Sequence, residues 1–373
     1  MELIVAITID IVIYAVQTML YHRLWDQNLT VQIRFEDECV MAGSKTSLVE
    51  VINNAKFLPM AVFHVKFSCS KTFRFDNREN STITDSYHRN DVFSVMGNQK
   101  ISRKLTFTAE HRGYYEITSL HILTRDFFLA NRFAKQVNND TYIYVLPKKR
   151  REEALEVWFQ NILGEILNRR SLLEDPYTFR GIRDYDRSDN IRSINWKATA
   201  RTNELMVNIH DRTSEQRVKL LLNLETNSML KVEEMQELAI ELTSTLAQKF
   251  IQEKLPVSLA SNGLDVITGE YGAVDFGCTY NHMLTMDRYL ARISASGGIE
   301  GFLGLVKEAL EDQAQDISYV IISSYCKKDL IDMADRMVEQ GICVQMLVPY
   351  YDIQQLEYAR PYIHDLEVKL TDA

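Results

Sequence analysis

From Val218 onward the chain repeats one pattern: a short, mainly apolar run, then a longer stretch with helical spacing. The runs Val218 to Glu225, Pro256 to Ala260, Tyr319 to Ser323 and Ile342 to Val348 lack the polar alternation of a half-exposed strand. Each therefore requires cover on both faces. Between and around them, Glu233 to Lys254, Asn281 to Ile293, Gly301 to Glu311 and Leu330 to Gln340 have helical periodicity. Strands of this kind separated by helices form a parallel sheet clothed on both sides, so residues 217–373 are read as an α/β domain.

Upstream the period changes from 3.6 to 2. Leu29 to Phe35 alternates apolar and polar residues, and Ser47 to Ile52, Ala61 to Phe67, Ile101 to Phe107, Tyr114 to Ile122 and Tyr142 to Leu146 are rich in β-branched and aromatic residues. Short strands at this spacing predict a β-sandwich over residues 26–147. The polar stretch Asp76 to Asp91 reads as a long loop within it. Pro147 and the basic cluster at 148–151 close the domain. Leu155, Trp158, Phe159, Ile162, Leu163, Ile166 and Leu167 then fall on one helical stripe and open a linker over residues 148–216.

The first 25 residues are of another kind. Leu3 to Tyr21 is almost wholly apolar and close to the roughly 20 residues that cross a hydrocarbon core. Asp10 interrupts it, at a cost of about 2.5 to 3.5 kcal/mol near a helix centre on insertion scales. A cleavable signal is a poor fit, since Met1-Glu2 brings no basic residue and no small-residue cleavage site follows. The segment predicts a single membrane anchor. His22 and Arg23 follow it and no Lys or Arg precedes it, which leaves the body on the cytoplasmic side.

With 373 residues and a net charge of −9, the chain has room for two or three domains. The charge is uneven: residues 1–147 and 148–216 are each within one charge of neutral, while residues 217–373 carry 13 basic and 24 acidic side chains. Such an acidic domain repels phosphate backbones, so nucleic acid is not an expected partner. The cysteines Cys39, Cys69, Cys278, Cys326 and Cys343 are odd in number and scattered, which predicts free thiols in a reducing compartment. Asp275-Phe276-Gly277 spells the kinase metal-binding triplet without any of its companion motifs. No nucleophile–base arrangement with supporting context is present, so no catalytic residue is assigned.

The densest polar signal lies between the two large domains, from Phe179 to Arg201. Arg180, Arg183, Arg187, Arg192, Lys197 and Arg201 are set there against Asp184, Asp186 and Asp189, with Tyr185 and Trp196 interleaved. Arginine forks pair with carboxylates and stack on aromatic rings, so such a segment can brace two domains or present a docking face. This stretch resembles the signature of the bacterial domain-of-unknown-function-58 family. Gly181, Arg183, Tyr185, Asp189, Arg192, Ile194, Trp196, Lys197, Ala200 and Arg201 agree with the family pattern, whereas Ser188 stands where Gly is usual and Asn195 where Asp is common.

The resemblance implies membrane helices, then a β-rich domain, then the signature leading into a von Willebrand factor A-like, Rossmann-like α/β domain. It further implies association with a MoxR-type AAA+ ATPase in maturation or assembly of other proteins, with no established enzymatic activity. A von Willebrand-type metal site places Asp-x-Ser-x-Ser after the first strand of its domain. Here Thr226 and Ser228 keep hydroxyl positions, but Leu224 falls where the Asp belongs and Glu225 is the remaining carboxylate. No metal or other cofactor is therefore expected. The expected function is a membrane-anchored, non-enzymatic adaptor that binds protein partners. The alternative is a metal-dependent hydrolase or ligand-binding enzyme using Glu225, Thr226, Ser228 and Ser324 at the carboxyl ends of the strands.

Overall fold

The computed structural model describes residues 2–77, 79–172, 179–186, 191–210, 216–225, 232–294, 299–312, 314, 316–350 and 359–367. The chain forms two compact units, Met1–Lys148 and Lys149–Ala373.

The first unit opens with helix α1 (Glu2–Leu24), whose apolar stretch Leu3–Leu24 has a mean hydropathy of 2.1 and is long and apolar enough to cross a membrane. Ten strands follow: β1 (Leu29–Phe35), β2 (Cys39–Met41), β3 (Lys45–Asn54), β4 (Met60–Cys69), β5 (Phe73–Phe75), β6 (Ser81–Ile83), β7 (Tyr87–Val95), β8 (Gln99–Ala109), β9 (Gly113–Arg125) and β10 (Arg132–Leu146). They make a four-stranded sheet, β1-β3-β8-β5, and a six-stranded one, β2-β10-β9-β4-β7-β6. The second sheet is mixed, because β2 runs parallel to β10 while its other pairs are antiparallel. Every second residue points inward, so Val31, Ile33 and Phe35 of one sheet and Phe63, Val65 and Phe67 of the other share one core. Tyr21 and Trp25 belong to that core as well, and the Tyr21 hydroxyl donates to the Pro59 carbonyl at 2.6 Å.

In the second unit, α2 (Glu153–Leu172) leads to β11 (Phe179–Asp184), α3 (Trp196–Thr202) and β12 (Met206–His210). The α/β part follows, with β13 (Arg217–Asn223), α4 (Val232–Gln252), β14 (Val257–Asp265), β15 (Tyr271–Gly277), α5 (Tyr280–Arg292), β16 (Ile293–Ser294), α6 (Ile299–Asp312), β17 (Ile317–Ser323), α7 (Lys328–Glu339), β18 (Cys343–Tyr350) and β19 (Ile363–Glu367). The sheet order is β15-β14-β13-β17-β18-β19, with β16 beside β14. Strands β14, β13, β17, β18 and β19 are parallel, and β15 and β16 are antiparallel to β14.

Successive residues of each central strand are sorted to opposite faces. Leu220 and Leu222 of β13 with Val320 and Ile322 of β17 pack under α2, α4 and α5. Leu221 of β13 with Tyr319 and Ile321 of β17 pack under α6 and α7, against Phe302, Val306, Leu330 and Met337. The stripe on α2 is built into the first of these cores, through Leu155, Trp158, Phe159, Ile162, Leu163 and Ile166. The basic cluster after Pro147 also has a structural task in this unit. Lys149 Nζ lies 2.9 Å from both oxygens of Asp287 on α5, which also accepts from Ser244 Oγ of α4 at 2.6 Å. Arg150 pairs with Glu241 of α4 at 2.7 Å. Removing one partner of a buried pair strands the other charge, so these contacts fix where the chain joins the helical layer.

The stretch Asp76 to Asp91, read as a loop, holds β6 and the first half of β7. Its polarity misleads because Arg89 and Asp91 occupy inward positions of β7 and are buried as a pair, Arg89 Nε to Asp91 Oδ2 at 2.6 Å. Arg103 of β8 reaches the same Asp91 oxygen at 2.5 Å and Glu50 of β3 at 2.8 Å, and its guanidinium sits 4.5 Å from the Phe93 ring centroid. Burial, and then the neighbouring Asp91, push the Glu50 carboxyl from its ordinary 4.5 up to about 7, against the opposing pull of Arg103. A carboxyl whose folded pKa is raised stabilises the fold fully below its unfolded pKa, and that contribution is lost as pH rises through the folded value. Urea unfolding of the whole chain between about pH 5 and about pH 8 should therefore show the first unit weakening as pH passes through about 7, and Glu50→Gln should flatten that slope.

Candidate functional site

The signature segment forms a small module of its own. Strands β11 and β12 pair antiparallel, Ile182 opposite Asn208 and Asp184 opposite Met206. Between them the chain makes a 3₁₀ turn, Ile191–Ser193, then α3. Asn195 starts α3 as its N-cap: its Oδ1 accepts from the Ala198 N–H at 3.0 Å and its Nδ2 donates to Asn208 Oδ1 at 2.7 Å. An Asp at this position could cap the helix equally well, but it has no amide to give Asn208. Asn203 ends the helix in the left-handed region, with φ 58°, where Asn is tolerated. Thr199 Oγ1 accepts from the Met206 N–H at 3.1 Å and ties α3 to β12.

This module brings together Gly181, Arg183, Tyr185, Trp196, Lys197 and Arg201. Arg180 and Arg192 are placed as backbone positions in β11 and the 3₁₀ turn. Asp189, with Arg187 and Ser188, lies outside the described residues. Trp196 is 66% exposed, and Ile182, Ile191 and Leu205 are exposed too, whereas Val207 of β12 is buried. The module thus displays large apolar side chains that its own fold does not bury. Sequence reasoning located the residues but not this exposure, because Trp196 sits at the first position of a seven-residue helix with no buried face.

The carboxyl ends of the parallel strands, where open sheets bind ligands, are of opposite character. Asn223 at the end of β13 donates to Ser323 Oγ at 2.9 Å and accepts from Asn262 Nδ2 at 2.8 Å and from the Glu225 N–H at 3.0 Å. Asn262 Oδ1 accepts from the Leu224 N–H at 2.9 Å. Ser323 Oγ donates to the Tyr325 carbonyl at 2.9 Å, and Ser324 Oγ approaches the Glu225 carbonyl at 3.4 Å. Among the described residues, neutral amides and hydroxyls satisfying one another fill this position. Thr226 and Ser228 lie outside the described residues, and Glu225 contributes its backbone to the network. Among the described residues no group of three or more His, Cys, Asp or Glu side chains converges as a metal ion would need. Cys326, just beyond β17, is pushed up to about 11 by burial and then by Asp365, so it stands as a thiol and not as a nucleophilic thiolate. Asp275, Phe276 and Gly277 form the end of edge strand β15.

These features define a class: an α/β unit with a neutral strand-end network, preceded by a polar hairpin module with an exposed tryptophan. Residues 181–341 match the family model described as Protein of unknown function DUF58. No curated protein matches the chain. Solved structures similar to part of it include a CARDB domain from Pyrococcus furiosus, at 13% identity over 30% of this chain and 91% of that one with a TM-score of 0.19. A non-cellulosomal cohesin from Archaeoglobus fulgidus has 14% identity over 31% and 91% of the two chains, with a TM-score of 0.21. A sporulation control protein from Bacillus subtilis has 10% identity over 43% and 58%, with a TM-score of 0.18. None of these scores defines a shared fold.

The strand-end network makes a direct prediction. Asn223→Ala removes three hydrogen bonds from a site that is 1% exposed and leaves Ser323, Asn262 and the Glu225 N–H short of partners. Denaturant unfolding should show a loss of about 2 to 4 kcal/mol.

Proposed function

We propose that this protein is a membrane-anchored, non-enzymatic adaptor whose signature module and acidic α/β unit bind protein partners, among them a MoxR-type AAA+ ATPase. The observation that carries the reading is Trp196, a large aromatic side chain 66% exposed on a module whose backbone is tightly hydrogen-bonded. Rigidly presented Trp and Arg side chains are the residue types that dominate binding energy at protein interfaces. The ATPase follows from the family resemblance of the signature.

We read the first unit as a β-sandwich, from its two sheets around one core, and the second as von Willebrand factor A-like. Supporting the latter is the order β15-β14-β13-β17-β18-β19, in which the first strand lies centrally and the connections turn outward in both directions. Helix α1 serves as a single-pass anchor, and His22 and Arg23 in its last turn favour a cytoplasmic body. In such an adaptor the neutral strand-end network is a structural closure, and chemistry is left to the partner.

The test is affinity recovery of the full-length, C-terminally tagged protein from detergent-solubilised host membranes. A AAA+ ATPase should be recovered with the wild type, and Trp196→Ala should lower its recovery at least tenfold, a factor worth about 1.4 kcal/mol. The melting temperature should not move, because the lost side chain is exposed. Equal recovery by both proteins, or no ATPase with either, overturns the reading.

A further inference from the structure

The hairpin between β9 and β10 inverts the usual chemistry of a turn. Residues 126–131 read Asp-Phe-Phe-Leu-Ala-Asn, and their polar groups face inward. Asp126 is fully buried and accepts from Gln17 Nε2 at 3.0 Å, Asn131 Nδ2 at 2.8 Å and the Ala130 N–H at 2.7 Å. Burial works against its charge, yet these hydrogen bonds hold the carboxyl below its ordinary range. Leu129 takes a left-handed backbone, φ 59°, and its N–H bonds the Asp126 carbonyl at 3.0 Å. A turn built this firmly normally displays Gly, Asn, Asp or Ser. Here it displays Phe127, Phe128 and Leu129, at 63%, 51% and 47% exposure.

Two further observations say what meets this tip. It is held against α1, since Gln17 bonds Asp126 and the Tyr14 and Phe128 rings lie 6.2 Å apart. Tyr14 is seven residues from Tyr21, the point where α1 enters the core of the first unit, so the tip stands about 10 Å further along the helix at 1.5 Å per residue. At its base, Arg125 and Arg132 are directly paired across the two strands, and neither has an ion-pair partner among the described residues. Like charges facing each other in a sheet are unfavourable unless an anion lies between or above them.

We infer that the tip at residues 127–129 is a second membrane contact, its three apolar side chains seated in the upper acyl region beside α1 and Arg125 and Arg132 on lipid headgroup phosphates. A depth of about 10 Å beyond Tyr21 matches the 5 to 10 Å to which interfacial elements enter a bilayer. The inference rests on α1 being a membrane anchor, and the experiment separates the two. The full-length chain carrying photoreactive p-benzoylphenylalanine at position 11, 83 or 128 is reconstituted into vesicles of phosphatidylcholine and phosphatidylglycerol, illuminated, and analysed for lipid adducts by mass spectrometry. Ile11 lies on the exposed part of α1 and Ile83 on edge strand β6 of the same unit. Adducts at 11 and 128, each several-fold above 83, are expected. Adducts at 11 with none above background at 128 overturn the second contact and leave the anchor standing. No adducts at 11 overturn the anchor and the inference with it.

Discussion

The second unit depends on one constraint: four adjacent parallel strands whose both faces are apolar. Once Leu220, Leu221 and Leu222 follow one another in a single strand, water must be kept from both sides of the sheet, and only two layers of helix can do so. The sorting of alternate residues under α2, α4 and α5 or under α6 and α7 follows from the two-residue period of a strand. So does the position of Asn223, which follows three consecutive core leucines at the end of its strand. Its amide has no water to turn to and must find Ser323, Asn262 and the Glu225 N–H.

That constraint is also why the α/β unit was legible in the sequence. Unbroken apolar runs such as Tyr319 to Ser323 survive in the structure as β17 almost unchanged. Legibility failed where burial was achieved by pairing charges instead of by apolar side chains. Strand β7 carries Arg89 and Asp91 at inward positions, so its alternation of character, read as hydrophobicity, disappears. Edge strand β15 has no fully buried residue and left no apolar run to find. The candidate site was legible as composition, a crowd of Arg, Asp, Tyr and Trp, but not as form. Nothing in the residue types announces that Asn195 caps a helix while bonding Asn208, or that Trp196 is left outside.

Two of the buried polar clusters differ in what they can respond to. The strand-end network of Asn223, Asn262 and Ser323 carries no titratable group, and its bonds are indifferent to pH over the physiological range. The Glu50, Asp91, Arg89 and Arg103 cluster is held between the two sheets of the first unit and includes a carboxyl displaced to about 7. Protonation of Glu50 therefore acts on the contact that ties the two sheets of the first unit.

The entry of α1 into the first unit has a mechanical meaning. Tyr21 and Trp25 are core residues, Trp25 stacks on Phe133 with 5.7 Å between ring centroids, and Lys56 donates to the Trp25 carbonyl. Only the few residues before β1 separate helix from sheet, so there is no leash. A flexible linker lets a tethered domain sweep a volume set by its length, whereas a helix that ends inside the core it carries transmits its own tilt and rotation to that core. The first unit is mounted like a lever on its fulcrum: any tilt or rotation of α1 is passed directly to the β sheets that share its core.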